Sequence, residues 1–124
     1  MASWTSDELA VLAAEDEVLI ASARADGSLR KPVIVWMVVL GDRVFVRSVN
    51  GRTAAWFRGT EERHEGRVRS GSVDRAIEFV DAETPFAGEL DALYRTKYRR
   101  ERKADVDSIV TPLARAATLE LVPC

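Results

Sequence analysis

The feature that most restricts the fold of this chain is an apolar run, Val33–Leu40, which reads VIVWMVVL. Because successive side chains of a strand point to opposite faces, a strand of this composition is apolar on both of them. We predict that one face meets the core of the sheet and that the other meets a helix or a partner subunit. Gly41-Asp42 then predicts a hairpin turn, and Arg43–Val49 predicts a strand that runs back.

Turn signals divide most of the chain into hairpin-linked strands. Asp26-Gly27 is typical of a tight hairpin, and Pro32 marks an edge or a bulge near the start of the strand that follows. Gly71-Ser72 predicts a further turn. Together these patterns predict six strands, over Glu17–Arg24, Leu29–Leu40, Arg43–Val49, Gly66–Ser70, Val73–Asp81 and Ala116–Val122.

Helix-start signals predict four helices around these strands. Thr5 and Glu8 have the spacing of a capping box, which begins a helix that ends near residues 14–16. Thr84 and Pro85 are typical of an N-cap and a first helical residue, so a helix is predicted from there to about Lys103. The other two predicted helices are Thr53–Arg58, which Gly59 is available to end, and Val106–Ala114.

The order of these elements favours a mainly β fold of the α+β class. Six hairpin-linked strands, with a short helix after the third and a helical pair before the last, predict a small antiparallel barrel with peripheral helices. A doubly wound sheet would need helices alternating with parallel strands, and this order lacks that alternation. At 124 residues the chain is predicted to form a single domain, residues 1–124.

Charge and composition exclude several classes of function. A net charge of −2 argues against binding nucleic acid through bulk electrostatics. No apolar run has membrane-spanning length, and the first residues lack the pattern of a signal peptide, so we expect a cytoplasmic protein without a membrane partner. One histidine and one cysteine, Cys124, supply few soft ligands, and no metal site is predicted.

The turn after the predicted third strand places two arginines beside the start of a helix. Arg47 and Ser48 end the strand, and Arg52 precedes the helix. Free N–H groups at a helix start and nearby guanidinium groups suit a phosphate or another compact anion. Arg30 and Lys31, on the preceding strand, can reach the same place. In the alternative interpretation, both turn arginines pair with surface carboxylates and Ser48 serves the turn.

Aromatic side chains close to this turn suggest a wall for a flat ring system. Trp56 and Phe57 follow the turn, and Trp36 lies in the middle of the apolar run. Aromatic residues more often fill a core or a subunit interface, because each buries a large area. The core interpretation is favoured for Trp36, and Trp56 is the better candidate for contact with a ligand.

His64, Tyr94 and Lys97 are the candidates for catalytic roles. His64 is the only histidine, and its charged surroundings in the sequence favour a solvated surface residue. Tyr94, Lys97 and Tyr98 lie one helical turn apart and can bring two phenols and an ammonium group to the mouth of a pocket. The alternative is an amphipathic helix with half-buried tyrosines and an outward Lys97.

Four segments carry a resemblance to a known family. They are the strand with Ile34-Val35-Trp36, the segment Val46-Arg47-Ser48 with Gly51 and Trp56-Phe57-Arg58, the segment Ala92–Tyr98, and the closing Ala117–Pro123. Through these segments nearly all of the chain resembles a bacterial family known only as a domain of unknown function (DUF2255). In layout that family is similar to the split-barrel flavin-binding proteins, which include pyridoxamine phosphate oxidases and deazaflavin-dependent reductases.

The wider resemblance implies a six-stranded antiparallel split β-barrel that forms a homodimer, with ligand sites at the subunit interface. It implies FMN or a deazaflavin as cofactor, with Arg47, Ser48 and Arg52 holding its phosphate and with Trp56 and Trp36 lining its ring. Such a protein would be an oxidoreductase for a small organic molecule, because the cofactor ring performs hydride chemistry. The alternative is a cofactor-free split barrel that binds a small molecule or catalyses a reaction unaided.

Overall fold

The computed structural model describes residues 3–82 and 86–124. Its strands are β1 (Val18–Ser22), β2 (Val33–Val35), β3 (Met37–Leu40), β4 (Arg43–Arg47), β5 (Glu65–Ser70), β6 (Val73–Asp81) and β7 (Thr118–Pro123). Its α-helices are α1 (Ser6–Ala14), α2 (Ala55–Arg63), α3 (Ala87–Lys97), α4 (Lys103–Ile109) and α5 (Pro112–Ala116), and a short 3₁₀ helix spans Gly51–Thr53.

The strands form one antiparallel sheet with the order β2-β1-β5-β6-β7-β4-β3. β2 and β3 follow one another in the chain but lie at opposite ends of this order, and only Trp36 separates them. The sheet therefore curls into a nearly closed barrel whose two edges are joined at Trp36. The predicted α+β barrel is confirmed, with seven strands among the described residues in place of the predicted six.

The additional strand arises because the predicted strand Leu29–Leu40 changes partner in the middle. Val35 pairs with Val18 of β1, whereas Met37 pairs with Val46 of β4. A continuous strand would keep one neighbour on each side, so the change of partner breaks it into β2 and β3. We call this position the split.

The two apolar faces of β3 are both covered. Met37 and its neighbour Val46 lie in the barrel core, with the inward side chains of the other strands. Val38 and Phe45 lie in a second apolar cluster with residues of α3 and α4, such as Leu90. For β3 the prediction of a strand buried on both faces is confirmed, and helices supply the outer cover.

Helix α1 begins as predicted. The hydroxyl of Thr5 accepts a hydrogen bond from the Glu8 N–H at 3.1 Å, and the Glu8 carboxylate accepts one from the Thr5 N–H at 2.9 Å. This reciprocal capping box satisfies two N–H groups that the first helical turn would otherwise leave without partners. It fixes the residue at which α1 begins.

Helix α2 differs from its prediction. It begins two residues later, at Ala55, and continues through Gly59 to Arg63, where His64 ends it with a left-handed φ of 58°. Gly59 instead permits close packing on β1, because a Cβ there would lie 2.8 Å from the Ser22 hydroxyl oxygen. The prediction that Gly59 ends this helix was wrong.

The C-terminal helices also differ in their limits. Helix α3 ends at Lys97, and the predicted helix Val106–Ala114 is two helices, α4 and α5. The division occurs where Thr111 accepts a hydrogen bond from the Ala114 N–H at 3.1 Å and so begins a new helix at Pro112. The predicted cap at Thr84 and Pro85 lies outside the described residues.

Candidate functional site

A cavity of about 350 Å³ lies beside the split, and we call it the split cavity. Four of the five residues predicted to bind a cofactor line it, namely Trp36, Arg47, Ser48 and Trp56, together with Asn50. These residues come from one segment of the chain between Trp36 and Trp56, and α4 adds the distant residues Asp105, Ser108 and Ile109 to the lining. The structure therefore gathers the predicted aromatic and hydroxyl groups around one space.

Ser48 carries a buried hydroxyl without a hydrogen-bond partner in the described part of the chain. The backbone of Ser48 is satisfied, because its N–H donates to the Ala117 carbonyl at 3.0 Å and its carbonyl accepts from the Gly51 N–H at 3.1 Å. Buried hydroxyl groups nearly always have a partner, since burial without one costs free energy. A polar ligand group in the split cavity would supply the hydrogen-bond partner that this hydroxyl lacks.

Arg47 is a fully buried cation with a protein hydrogen-bond partner for each nitrogen of its guanidinium group. Nη1 donates to the Asp91 carboxylate at 2.5 Å and to the Ile109 carbonyl at 3.1 Å. Nη2 donates to the Ala87 carbonyl at 3.2 Å, and Nε donates to the Thr118 hydroxyl at 3.2 Å. These contacts tie β4 to α3, α4 and β7, and they account for the position of the side chain without a ligand.

Asp91 holds Arg47 from one side and Arg115 from the other. Its second oxygen accepts hydrogen bonds from Arg115 Nε at 3.0 Å and Nη2 at 2.5 Å. Burial raises the pKa of Asp91, but the hydrogen bonds and charges of Arg115 and Arg47 lower it more, and the net pKa lies below its ordinary value. Two cations thus share one carboxylate, which leaves a net positive charge behind the split cavity.

Arg52 does not line the split cavity. Its Nε donates to the Ala116 carbonyl at 2.9 Å, and Nη2 donates to the Asp81 carboxylate at 2.8 Å, while the guanidinium lies over the Phe57 ring. Arg47 and Arg52 thus have separate sets of protein partners. Their predicted joint role in holding a phosphate gains no support from this arrangement.

A second cavity, of about 320 Å³, lies on the other side of Trp56. We call it the basic cavity, because Arg24, Arg30 and Lys31 line it, close to the first residues of α2. The Arg30 guanidinium pairs with the Glu62 carboxylate and donates to the Gly59 carbonyl at 3.2 Å. Two arginines and a lysine against one carboxylate leave this cavity with a surplus of positive charge.

Arg30 and Lys31 had only a secondary place among the residues predicted from the sequence, and Arg24 was not singled out. All three flank the Asp26-Gly27 hairpin, and that hairpin turns them towards α2. A basic residue on each side of a tight hairpin is the signal in the sequence that could have identified this cavity.

Tyr94, a predicted catalytic residue on α3, and Tyr98, which follows the last residue of α3, bind the backbone at the split. The Tyr94 hydroxyl donates to the Trp36 carbonyl at 3.0 Å. The Tyr98 hydroxyl accepts from the Met37 N–H at 3.0 Å and donates to the Asp16 carbonyl at 2.9 Å. Because β3 is an edge strand, side chains here take the place that another strand would have.

Tyr94 and Tyr98 are buried phenols, and burial raises the pKa of each well above its ordinary value. They therefore stay protonated at neutral pH and act as hydrogen-bond donors to carbonyl groups. The Tyr98 ring also stacks on the Trp36 ring, with centroids 4.2 Å apart and planes within 6°. Tyr98 thus supports the aromatic wall of the split cavity, a role that was not predicted from the sequence.

Lys97 joins α1 to β3. Its ammonium donates to the Leu12 carbonyl at 2.9 Å and to the Met37 carbonyl at 2.7 Å. Burial lowers the pKa of Lys97 to about 8 although the charges of Asp16 and Glu15 raise it. Lys97 is therefore neither outward-facing, as the amphipathic alternative has it, nor a lining residue of the split cavity.

His64 lies at the exposed C-terminal end of α2, where its backbone N–H donates to the Thr60 carbonyl at 2.8 Å. It lines neither the split cavity nor the basic cavity. Within residues 3–82 and 86–124, no group of three histidine, cysteine or acidic residues is placed to hold a metal ion. The helices of these residues include none long and apolar enough to cross a membrane.

Solved structures share this fold at low sequence identity. The heme storage protein HutZ of Vibrio cholerae is 12% identical, with a TM-score of 0.64 over 93% of this chain and 86% of its own. An F420-H2 dependent reductase, FDR-A, is 16% identical, with a TM-score of 0.62 over 86% of this chain and 93% of its own. The FAD and heme binding protein of Mycobacterium smegmatis is 19% identical, with a TM-score of 0.59 over 97% of this chain and 65% of its own.

No curated protein matches this chain. One family model does, over residues 8–121, and it describes uncharacterized proteins conserved in bacteria. Because this match spans more than nine-tenths of the sequence, the chain belongs to that family, DUF2255.

Proposed function

We propose that this protein binds FMN or a deazaflavin and acts as an oxidoreductase on a small organic molecule. The observation that carries the proposal is the buried Ser48 hydroxyl, which has no partner among the described residues and lies beside a cavity walled by Trp36 and Trp56. A flat ring with polar edge atoms matches such a site, since it stacks on aromatic walls and binds a hydroxyl at its edge.

The residues divide naturally between the two parts of such a cofactor. Trp36, Trp56 and Ser48 would hold the ring, and Arg24 and Lys31 would hold a phosphate in the basic cavity across Trp56. In this arrangement Arg47 supports the site from behind instead of binding the phosphate, because Asp91 and backbone carbonyls already engage its guanidinium. When bound, the ring supplies hydride transfer.

The chain's own residues would then position the ring and exclude water. The net positive charge of the Arg47–Asp91–Arg115 group would favour electron-rich forms of a ring bound in the split cavity. The similar solved structures support a redox cofactor, because two of them are an F420-H2 dependent reductase and an FAD and heme binding protein.

We further propose that the protein is a homodimer and that the partner covers the split cavity. Ile34 and Val49 line that cavity and are 58% and 40% exposed. Large apolar side chains clustered at a cavity mouth are typical of interaction sites. Sedimentation of the purified protein tests this: a dimer is expected, and a monomer at micromolar concentration would contradict it.

The cofactor proposal is tested by titrating the protein with FMN and with riboflavin and recording flavin fluorescence. Ser48→Ala should weaken both ligands by about fivefold, the contribution of one hydrogen bond, yet leave the ligand-free protein equally or more stable. Lys31→Gln should weaken FMN alone, because riboflavin has no phosphate. Arg67→Gln is the control, since Arg67 pairs with Asp74 on the surface and should change neither affinity.

The alternative is a cofactor-free split barrel, and the observation that favours it is that each nitrogen of the Arg47 guanidinium already has a protein partner. Absence of binding by FMN, riboflavin and a deazaflavin, with an unchanged melting temperature in each case, would replace the proposed function by this alternative.

A further inference from the structure

Lys97 lies where two further cavities meet, away from the split cavity. One, of about 330 Å³, has an apolar wall from Val38, Val39 and Leu93, and its polar lining residues are Lys97, Asp16, Thr96 and Arg99. The other, of about 200 Å³, opens towards the turn after α3 and is also lined by Lys97. We call the first the Lys97 cavity.

We propose that Lys97 is a nucleophilic amine that forms an imine with small apolar aldehydes in the Lys97 cavity. The proposal is independent of any cofactor, because the proposed flavin residues line other cavities.

The hydrogen bonds of Lys97 suit a neutral amine. Nζ donates to two carbonyl oxygens, those of Leu12 and Met37, and has no third acceptor among the described residues. An ammonium group has three N–H donors, whereas a neutral amine has two and a lone pair. Deprotonation therefore costs neither hydrogen bond, although it weakens the cation–π contact of Nζ with the Tyr98 ring, whose centroid lies 5.2 Å away.

Charges around Lys97 do not include a close carboxylate. No ion pair within 4 Å involves Lys97 in the part of the chain that the structure describes. β3 contributes only apolar side chains to this cavity. The charged and titratable groups that face Lys97 come from the ends of α1 and α3, and they are Glu15, Asp16, Tyr98, Arg99, Arg100 and Glu101.

Burial without a close counterion is the physical reason that the pKa of Lys97 falls to about 8. At pH 7.5 an amine with that pKa is neutral about 200 times more often than an ordinary lysine. Nucleophilic reaction requires the neutral form, so the same site that holds the amine in place also keeps a reactive fraction available.

The step balances without an oxidant or a reductant. The amine lone pair forms the C–N bond while the C=O π electrons move to oxygen, and a proton passes from nitrogen to that oxygen. Loss of the hydroxyl group with the second nitrogen proton releases water and leaves the imine. Val38, Val39 and Leu93 would hold the aldehyde's apolar chain.

The chain has only three lysines, Lys31, Lys97 and Lys103, so reductive alkylation maps the site directly. The full protein is treated with hexanal and cyanoborohydride at pH 7.5, and alkylation of each lysine is followed by peptide mass mapping. Lys97 should react at least about fivefold faster than Lys103, although the Lys103 side chain is 91% exposed. Rates that follow exposure, with Lys103 first, would overturn the proposal.

Acetaldehyde provides the test of the apolar walls. The ratio of Lys97 to Lys103 alkylation should be several-fold higher with hexanal than with acetaldehyde, and equal ratios would overturn the assignment of the aldehyde class. Lys97→Arg keeps a cation and its donors but cannot form an imine. Total alkylation of this variant should therefore lack the fast component that Lys97 contributes in the unsubstituted protein. Asp16→Asn removes a carboxylate that favours the ammonium form and should speed alkylation of Lys97; a slower reaction in this variant contradicts the proposal.

Discussion

Replacing Asp91 by asparagine tests the buried cation behind the split cavity. The Arg47 side chain is fully buried, and its Nη1 lies 2.5 Å from an Asp91 oxygen. This carboxylate therefore supplies the negative charge that compensates the buried guanidinium. Loss of one partner of a buried ion pair costs about 3–5 kcal/mol. The amide in Asp91→Asn keeps one acceptor oxygen, and Arg47 keeps three other acceptors, so we expect a loss of about 2–4 kcal/mol in the free energy of unfolding.

Urea unfolding at pH 7 measures this loss, and Asp107→Asn is the matched control. Asp107 pairs with Arg95 on the surface, where both side chains are about half exposed, so its replacement should cost at most about 1 kcal/mol. Equal losses in the two variants would refute the assignment of Arg47 as a buried charge that needs Asp91.

The pH dependence of the Asp91→Asn difference has a definite sign. The pKa of Asp91 is lower in the folded protein than in the unfolded chain, so the carboxylate stabilises the fold above its unfolded pKa of about 3.9 and this contribution is lost as pH falls through the folded pKa. The difference between the unsubstituted protein and the variant should therefore be full at pH 7 and should shrink below about pH 4.

Four further perturbations have expected outcomes in the same unfolding assay. Gly66→Ala should cost about 3 kcal/mol or more, because a Cβ there would overlap the Ala21 carbonyl oxygen, whereas Gly88→Ala, with open space around it in α3, should gain about 0.5–1 kcal/mol. Thr5→Ala should cost about 1 kcal/mol through loss of the cap. The free energy of unfolding should rise from pH 8 to about pH 10, because Lys97 keeps its proton to a higher pH in the unfolded chain than in the folded protein. After a discount for the partial exposure of Lys97, the gain is on the order of 1–2 kcal/mol, and Lys97→Met should abolish it.

Local signals in the sequence predicted the elements whose causes are local. The Thr5–Glu8 box, the hairpin at Gly41-Asp42 and the strand Val73–Asp81 depend on residues within a few positions of one another, and the structure confirms all three. The unbroken apolar run likewise predicted that the strand through Val38 is buried on both faces.

The partners of Arg47 were beyond such reasoning. Asp91 lies 44 residues from Arg47 in the sequence, and Thr118 lies 71 residues away. Nothing in the turn around Arg47 distinguishes a guanidinium that binds a phosphate from one that binds a carboxylate of a distant helix. Both kinds of partner were compatible with the sequence, and only the packing of α3 and β7 on β4 separates them.

The split at Trp36 had no local signal either, because no glycine or proline interrupts VIVWMVVL. The break comes from tertiary structure: one strand cannot pair with both β1 and β4 once those strands lie far apart in the sheet order. The position of the break was nevertheless encoded in Tyr94 and Tyr98, whose hydroxyls bind the Trp36 carbonyl and the Met37 N–H. The sequence placed the two phenols one helical turn apart but gave no indication of these backbone partners.

These contacts make the closure of the barrel and the shape of the split cavity parts of one arrangement. Tyr98 satisfies the edge backbone at Met37 and stacks on the Trp36 ring, so the same side chain closes the sheet and fixes one wall of the cavity. A buried edge strand needs hydrogen-bond partners for its backbone N–H and C=O groups. Long side chains from a helix supply such partners only at a few residues. The cavity therefore lies at the split because the barrel is completed there by side chains, which leave space, instead of by a strand, which would fill it.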